Sequence, residues 1–315
     1  MSGRGRLWHV VDTTGAVPAL VAVRSGPGGG EVVDRVVFLT PEEAKVAAAP
    51  ATDAVAAARL RLADRGVGST ERLLWLMSQP GAGPAELDPV AIPAAAAVAL
   101  GAEAADGRQR RGGAGQGDAL HLGFGSVAGL VRSEGRVAVD RDGWPLRPRA
   151  LASSLAFEVG GLAGGSWSPL DAESVLAAWC REVPATTVEP LWPLQALGYP
   201  ARRISEGDVV ATAMALASRR ALGLWIGELL SLWDIAAITL HLGDRCLATW
   251  LGLPASDGEG RGSGAFDGAT LGALGALGDA VASHSFASIR RATTLSWRVV
   301  DADTAAIGAV CWAQR

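Results

Sequence analysis

The pattern of hydrophobic positions opens the chain with three short strands. Apolar runs cover 7–11, 17–23 and 32–39, and turns rich in Gly, Ser, Asp or Thr separate them. Short apolar runs between such turns are typical of an antiparallel β-meander. A later run, 73–77, lies between polar and turn residues and predicts a further buried strand.

Helical patterns follow the first strands and recur towards the end of the chain. Residues 92–105 predict a helix with Pro93 in its first turn, where a missing N–H costs little. Further on, apolar residues recur at spacings of three and four, and we expect Ser205 to cap that helix from the following residue onwards. A buried strand over 235–240 and a closing helix over 304–314 complete the pattern.

A second group of strands begins after a glycine-rich break at 106–117. Apolar runs over 119–122, 127–132 and 136–139 repeat the arrangement of the first strands. Strands and helices that alternate in two similar halves predict a two-lobed α/β fold. We expect an N-terminal α/β lobe over 1–117, a C-terminal α/β lobe over 118–300, and a closing helix over 301–315 that packs back on the N-terminal lobe.

Composition and charge narrow the class of protein. With 49% hydrophobic and 19% charged residues, the chain has enough apolar surface for a large folded core. A formal net charge of −4 gives no general attraction to nucleic acid or to anionic membranes, so we expect neither as a partner. The N-terminus lacks a secretory signal, and the apolar region 209–242 contains four charged residues, so we expect a cytoplasmic protein.

Several kinds of catalytic site are excluded by their missing motifs. The single lysine, Lys45, stands outside any Gly-x-x-x-x-Gly-Lys loop, which excludes a P-loop nucleotidase. No Gly-x-Ser-x-Gly elbow of a serine hydrolase is present. The three cysteines and four histidines show no metal-ligand spacing, which predicts the absence of a zinc site.

The order of the elements and several motifs resemble the ROK family of sugar kinases, within the actin-like, ribonuclease H-like ATPase fold of hexokinases. Glu206-Gly207-Asp208, Leu222-Gly223 and Asp234 look like the family's helix-to-strand segment before its adenosine loop. The ending 303–309 is similar to the family's closing helix, in which a small Gly-Ala pair allows close packing. The resemblance implies ATP and Mg²⁺ as cofactors, a sugar or a sugar-like polyol such as a cyclitol as substrate, and a homodimer.

Two segments resemble the phosphate loops of that family. The first, 12–15, stands where the family has Asp-x-Gly-Gly-Thr, and the resemblance implies that Asp12 helps to hold the hydration shell of Mg²⁺. The second, 122–129, keeps three glycines, which let the backbone approach a phosphate closely. Phe124 stands where that loop has a hydroxyl residue, and Val127-Ala128 stand where it has glycines, so their side chains narrow the space for a phosphate. The implied phosphate and nucleotide contacts are Asp12, Thr13, Thr14, Gly15, Gly123, Gly125, Ser126 and Gly243.

A third group of residues resembles the sugar site of the family. Glu158 stands in a segment similar to Gly-Glu-x-Gly-His, although Gly161 replaces the histidine. Asp171 is a shorter substitute for the family's later glutamate, and the cysteines of the family's zinc motif have no counterpart. Trp144 and Trp167, in loops that flank Glu158 in the sequence, are the aromatic residues that we expect to contact a ligand.

The general base is the largest departure from the family pattern. The helix that starts near 92–96 resembles the one that begins with Asn-Asp, yet neither residue is present, and Asp88 is the nearby carboxylate that could replace the base. Two hypotheses follow: an ATP-dependent sugar or polyol kinase, or a catalytically degenerate ROK-fold protein that acts as a ligand-binding or protein-interaction module. A third, carbamoyl transfer or an acetylglucosamine-kinase-like ATPase, rests on slight likenesses at 125–128 and 141–144.

Overall fold

The structure is a computed structural model, and the elements below are those of its described residues. These residues are 6–12, 19–26, 29–37, 73–77, 90–105, 117–123, 126–132, 134–141, 144–145, 167, 169–170, 172–182, 198–242, 245–254, 261–265, 268–299 and 302–315. The strands are β1 (Leu7–Asp12), β2 (Ala19–Gly26), β3 (Gly29–Val37), β4 (Leu73–Met77), β5 (Val90–Pro93), β6 (Asp118–Gly123), β7 (Ser126–Val131), β8 (Ile235–Leu242), β9 (Arg261–Ala265) and β10 (Thr294–Val299). The helices are α1 (Ala94–Ala105), α2 (Ala172–Glu182), α3 (Gly198–Ser205), α4 (Val209–Leu232), α5 (Arg245–Leu251), α6 (Gly268–Ala273), α7 (Ala276–His284), α8 (Ala287–Ala292) and α9 (Ala302–Ala313).

The chain forms two compact units. The first contains Met1–Ala114, Ala128–Leu146 and Val300–Arg315, and the second contains Gly115–Val127 and Arg147–Val299. This division differs from the expected lobe boundaries at 128–146, which belongs to the first unit. Arg136 of this segment and Arg315 at the end of the chain interact electrostatically, so the segment lies beside the C-terminal residues of the same unit.

The first unit is built on a five-stranded sheet with the order β3-β2-β1-β4-β5. β1 and β2 pair antiparallel, as do β2 and β3, which confirms the predicted meander. β4 lies parallel to β1 on the other side and β5 lies parallel to β4. Because parallel neighbours need a crossover connection, the unit combines a meander with a parallel edge.

Helices α1 and α9 cover one face of this sheet and form its core. Trp8, Val10, Val21 and Leu76 lie on that face and are buried against the alanine-rich surfaces of the two helices. The helices cross closely at Gly101 and Gly308. A Cβ added at Gly308 would overlap the carbonyl oxygen of Ala97, and one added at Gly101 would overlap the carbonyl of Thr304. The close packing expected of the closing helix is therefore confirmed.

A second five-stranded sheet has the order β7-β6-β8-β10-β9, and its strands β6, β8, β9 and β10 belong to the second unit. β6, β8 and β10 run parallel, and β9 closes the edge antiparallel to β10. Of the strand expected over 136–139, the described residues form only isolated bridges, Val131 with Val137 and Val139 with Pro145. The chain turns at Gly135, whose φ is +81°, and backbone hydrogen bonds from Arg132 to Arg136 and from Ala138 to Leu130 join the two sides of the turn.

The long helix α4 is a core helix of the second unit. It packs against α7, and Cβ atoms added at Gly223 or Gly227 would press on Leu277, Ala280 or His284 of that helix. By length and composition α4 could cross a membrane, yet half of its most apolar stretch is buried inside the unit. Its apolar character therefore has a sufficient explanation in core packing.

The start of α4 corrects the predicted cap. Ser205 ends α3, and its hydroxyl donates to the carbonyl of Arg202. Gly207, with φ +84°, then reverses the chain, and Asp208 becomes the N-cap, its carboxylate accepting from the N–H of Ala211 at 2.9 Å. The cap prediction was wrong because a separate short helix precedes α4 and uses Ser205 at its own end.

A half-buried arginine joins α4 to the end of α5. The Arg219 side chain donates from Nε to the carbonyl of Trp250 at 2.9 Å and from Nη2 to the carbonyl of Thr249 at 3.0 Å. A positive charge and two donors are thus provided to the last carbonyls of the helix, of which that of Thr249 also accepts from the N–H of Gly252 at 3.1 Å. The chain turns at Gly252 directly beneath the guanidinium.

Replacing Arg219 by Gln is expected to lower the free energy of unfolding by about 1–2 kcal/mol, because two hydrogen bonds from a charged group are lost at a half-buried position. Urea denaturation measures this change. Arg220→Gln, at the next and exposed position of α4, is the matched control and should change stability by less than about 0.5 kcal/mol. Equal stabilities of the two variants would contradict the capping role.

Candidate functional site

The carboxylate of Asp12 stands at the end of the first strand. Asp12 is the last residue of β1 and pairs with Ala19 of β2 and with Leu76 of β4. Its side chain is 3% exposed. β1 and β4 are parallel, and ligands of α/β sheets bind beyond the carboxyl ends of parallel strands. The buried carboxylate of Asp12 therefore lies at the edge of the sheet where the expected first phosphate loop begins.

The carboxyl ends of β6, β8 and β10 carry residues that stand side by side. Gly123 pairs with His241, and His241 pairs with Arg298. We call these three residues the strand-end row. Two residues earlier on each strand lies the inner row, which consists of His121, Thr239 and Ser296.

The sheet of the second unit therefore has two faces of different chemistry. Successive side chains of a strand point to opposite faces, so both rows share one face. The opposite face is apolar, with Leu120, Leu122, Leu240, Leu295 and Trp297 buried on it. Thr239 and Ser296 hydrogen-bond each other across the strands at 3.0 Å. A polar face that is itself largely buried is unusual, because polar groups are expensive to bury without partners.

Two histidines on this face are in direct contact. His121 Nδ1 lies 2.9 Å from His241 Nε2, and the rings stack with centroids 5.1 Å apart at an interplanar angle of 24°. The pKa of His241 is held well below 6.5, its ordinary value, chiefly because burial disfavours the imidazolium. The nearby His121 and the charge of Arg298 lower that pKa further. His241 is therefore neutral at pH 7 in the folded protein.

This low pKa makes the stability of the protein depend on pH. Below about pH 6.5 the unfolded chain takes up a proton on His241 that the folded chain does not, so stability falls as the pH falls. Between about pH 7.5 and about pH 5.5 this residue should therefore lower the free energy of unfolding.

Denaturation curves at the two pH values test this effect. The variant His241→Gln should lose this part of the pH dependence, whereas His284→Gln, at an exposed histidine of the same unit, should keep it. An unchanged pH dependence in His241→Gln would show that His241 titrates normally.

The remaining predicted residues are placed in several parts of the chain. Ser126 begins β7. Trp144 belongs to the first unit, and its backbone N–H donates to Asp140 Oδ1 at 3.0 Å. Trp167 is buried in the second unit. Asp12 and Gly123 also belong to different units. The residues that lie outside the described part of the chain are Thr13, Thr14, Gly15, Asp88, Gly125, Glu158, Asp171 and Gly243.

Two residues of the strand-end row, His241 and Arg298, were not among the predicted site residues. A signal was present in the sequence, since β8 and β10, which carry these two residues, each have polar residues at alternate positions within an apolar run. Alternation of this kind indicates that one face of a strand differs from the other. Among the described residues, no group of three or more His, Cys, Asp or Glu side chains is arranged to hold a metal ion.

Comparison with known proteins finds similarity in structure rather than in sequence. No family model matches the chain, and no curated protein matches its sequence. Over 98% of both chains it is similar to a ROK family protein from Streptococcus pneumoniae in complex with sucrose, with 15% identity and a TM-score of 0.56. A ROK family glucokinase from Streptomyces griseus, in complex with glucose and AMPPNP, has 16% identity and a TM-score of 0.53 over 97% of this chain and 98% of that one.

A third similar structure belongs to a regulator of transcription. It is a ROK family transcriptional regulator, a homolog of the E. coli MLC protein, with 12% identity and a TM-score of 0.52 over 96% of this chain and 77% of that one. At such identities the likeness is one of fold, and function has to be argued from the residues of this chain.

Proposed function

We propose that this chain, which has the ROK-type, actin/hexokinase-like ATPase fold predicted from its motifs, is an ATP-dependent kinase of a sugar or a sugar-like polyol. The observation that carries the proposal is the placement of Asp12. A shielded carboxylate ends the first strand of the first unit and is the first residue of the segment that resembles the family's first phosphate loop. That is the place from which the resemblance assigns it to the hydration shell of Mg²⁺.

The residues of this chain fit a magnesium nucleotide. Mg²⁺ prefers carboxylate and water oxygens, and Asp12 offers a carboxylate at a strand end. Gly123, at the end of β6, lies in the segment 122–129 that resembles the second phosphate loop, and it has no side chain to keep a phosphate away from the backbone. When bound, Mg·ATP supplies the transferable phosphoryl group and neutralises its developing charge.

The substrate side of the proposal uses the predicted sugar residues. Glu158 and Asp171 would accept hydrogen bonds from sugar hydroxyls, and Trp144 and Trp167 would contact the sugar ring. Asp88 would take the proton from the attacking hydroxyl, which is the role of a general base. The proposal includes a cytoplasmic location, a homodimer, no zinc, and neither nucleic acid nor a membrane as partner; it takes the homodimer from the family resemblance.

A second candidate function is favoured by the start of α1. β5 ends at Pro93 and α1 begins with four alanines, so the carboxylate that starts the corresponding helix in the family has no equivalent there. The fold is also that of a ROK family transcriptional regulator. The second candidate is therefore a ROK-fold module that binds a sugar, a nucleotide or a protein partner without phosphoryl transfer.

The experiment that separates the two candidates measures turnover and binding on the same preparation. Purified protein is incubated with Mg·ATP and a panel of hexoses, amino sugars and cyclitols, and both ADP and the phosphorylated product are quantified. We expect ADP and product to form in equal amounts with one member of the panel, and none without Mg²⁺. Thermal stabilisation by that sugar without any product would exclude the kinase and leave the binding module.

A further inference from the structure

The polar face of the second unit has an electrostatic character that the motifs did not indicate. Its strand-end row contains Arg298 and His241, and the inner row contains His121. The described strand residues of this face, from Ala119 on β6 to Arg298 on β10, include no acidic side chain. The face therefore offers hydrogen-bond donors and one permanent positive charge close to Gly123.

The strand-end row lies at the edge where ligands of parallel sheets bind. His241 and Arg298 of this row are each 6% exposed, and Gly123 is partly exposed. In the inner row His121 and Thr239 are 0% exposed, whereas Ser296 is partly exposed.

The histidine contact leaves one ring nitrogen of His241 for another partner. Nε2 of His241 lies against His121 Nδ1, while its Nδ1 is buried without a hydrogen-bond partner among the described residues. When His121 donates to Nε2, the proton of the neutral His241 ring is on Nδ1, and Nδ1 becomes a donor. A buried donor without a partner costs about 1–3 kcal/mol, and an acceptor from a ligand would remove that cost.

We propose that His241 and Arg298 form a phosphate-binding subsite beside Gly123, which holds a phosphate group of the nucleotide. The guanidinium of Arg298 supplies charge and several donors in a planar arrangement that suits phosphate oxygens. His241 adds a neutral donor, which His121 holds in place through the ring contact. The inference deepens the proposed function and rests on it for the identity of the ligand.

This subsite would compensate for what the second phosphate loop lacks. The loop has Phe124 where a hydroxyl is expected, and Val127-Ala128 where glycines are expected, so its backbone offers fewer close approaches to a phosphate. Side chains from the neighbouring strands β8 and β10 would then provide contacts that the loop backbone does not.

The first test uses variants in isothermal titration with Mg·ATP and, separately, with inorganic phosphate. Arg298→Gln is expected to weaken binding of Mg·ATP by about tenfold or more, the loss typical of a hydrogen bond to a charged group. Arg298→Lys should recover part of that loss. Arg291→Gln, at an exposed arginine of α8, is the matched control and should bind as the wild type does. Wild-type affinity in a folded Arg298→Gln would overturn the proposal.

The second test uses the unchanged protein, so it does not depend on how a variant folds. The chain has four histidines, and ¹⁵N labelling of their rings gives a spectrum that can be assigned by single substitutions. Added Mg·ATP should shift the Nδ1 resonance of His241, with His9 and His284 as internal references. An Nδ1 resonance that stays unshifted under Mg·ATP and under inorganic phosphate would also overturn the proposal.

The two probes show which kind of phosphate the subsite binds. They also separate a failure of the subsite from a failure of the proposed function. A shift with both probes assigns the subsite to phosphate in general, and a shift with Mg·ATP alone assigns it to the nucleotide. If Mg·ATP raises the melting temperature while His241 stays unshifted with both probes, the subsite is wrong and the proposed function stands. If only inorganic phosphate shifts His241, the residues bind phosphate and their assignment to the nucleotide is wrong.

Discussion

Gly308→Ala should destabilise the first unit by about 2 kcal/mol. A Cβ at this position would overlap the carbonyl oxygen of Ala97, which is backbone and has no rotamer to change. Overpacking costs about 3 kcal/mol at the upper end of its usual range, where backbone has to move, and the higher helix propensity of Ala returns about 1 kcal/mol, which leaves about 2 kcal/mol. The steric term is larger, so α1 and α9 must move apart and lose part of their packing on the sheet.

Urea denaturation monitored by circular dichroism measures this loss. Gly272→Ala is the matched control, because it places the same methyl group in helix α6, where no atom lies within 4 Å of the new Cβ. That variant should be as stable as the wild type or gain up to about 1 kcal/mol. If Gly308→Ala behaved like Gly272→Ala, the close crossing of α1 and α9 would be contradicted.

Asp12→Asn should lower sugar-dependent formation of ADP by about 10²–10³-fold. The substitution keeps the shape of the side chain but removes the charge that would hold the hydration shell of Mg²⁺ near the transferred phosphoryl group. A single electrostatic contact to a transition state typically contributes that factor. The effect should be mainly on kcat, and it should be reduced at high Mg²⁺ concentration.

The control for this prediction is a carboxylate of the same unit that lies at the surface. Glu31→Gln removes a charge from β3, where the side chain is exposed and lies 3.9 Å from Arg24. Its rate should equal that of the wild type within about twofold, since exposed ion pairs contribute little. Full activity in a folded Asp12→Asn would remove Asp12 from the proposed magnesium site.

Much of the fold follows from local patterns in the sequence. The meander and the strand 73–77 were predicted because apolar runs between turn residues indicate strands directly. The helix predicted over 92–105 begins two residues later, because 90–93 pairs with β4 as a strand. A strand of four residues directly before a helix gives no separate signal in the sequence. The start of α1 is therefore set by the pairing of β5 with β4, which the sequence pattern does not show.

The candidate site was predicted less completely, for a physical reason. Asp12 and Gly123 could be proposed because each stands in a short motif that resembles a family loop. His241 and Arg298 could not, because their proximity depends on the register of strands more than fifty residues apart in the sequence. Pairing over such distances is set by tertiary packing and has no local pattern.

The most direct test of the central claim, a magnesium nucleotide site, is a thermal-shift titration with Mg·ATP, alone and with each sugar of the panel. A ligand that binds only the folded protein stabilises it by about 2.7 kcal/mol at a concentration 100 times its dissociation constant, which is readily measured. We predict a saturable rise in melting temperature with Mg·ATP that one sugar or cyclitol increases further. No shift with Mg·ATP or Mg·ADP at millimolar concentration would contradict the claim.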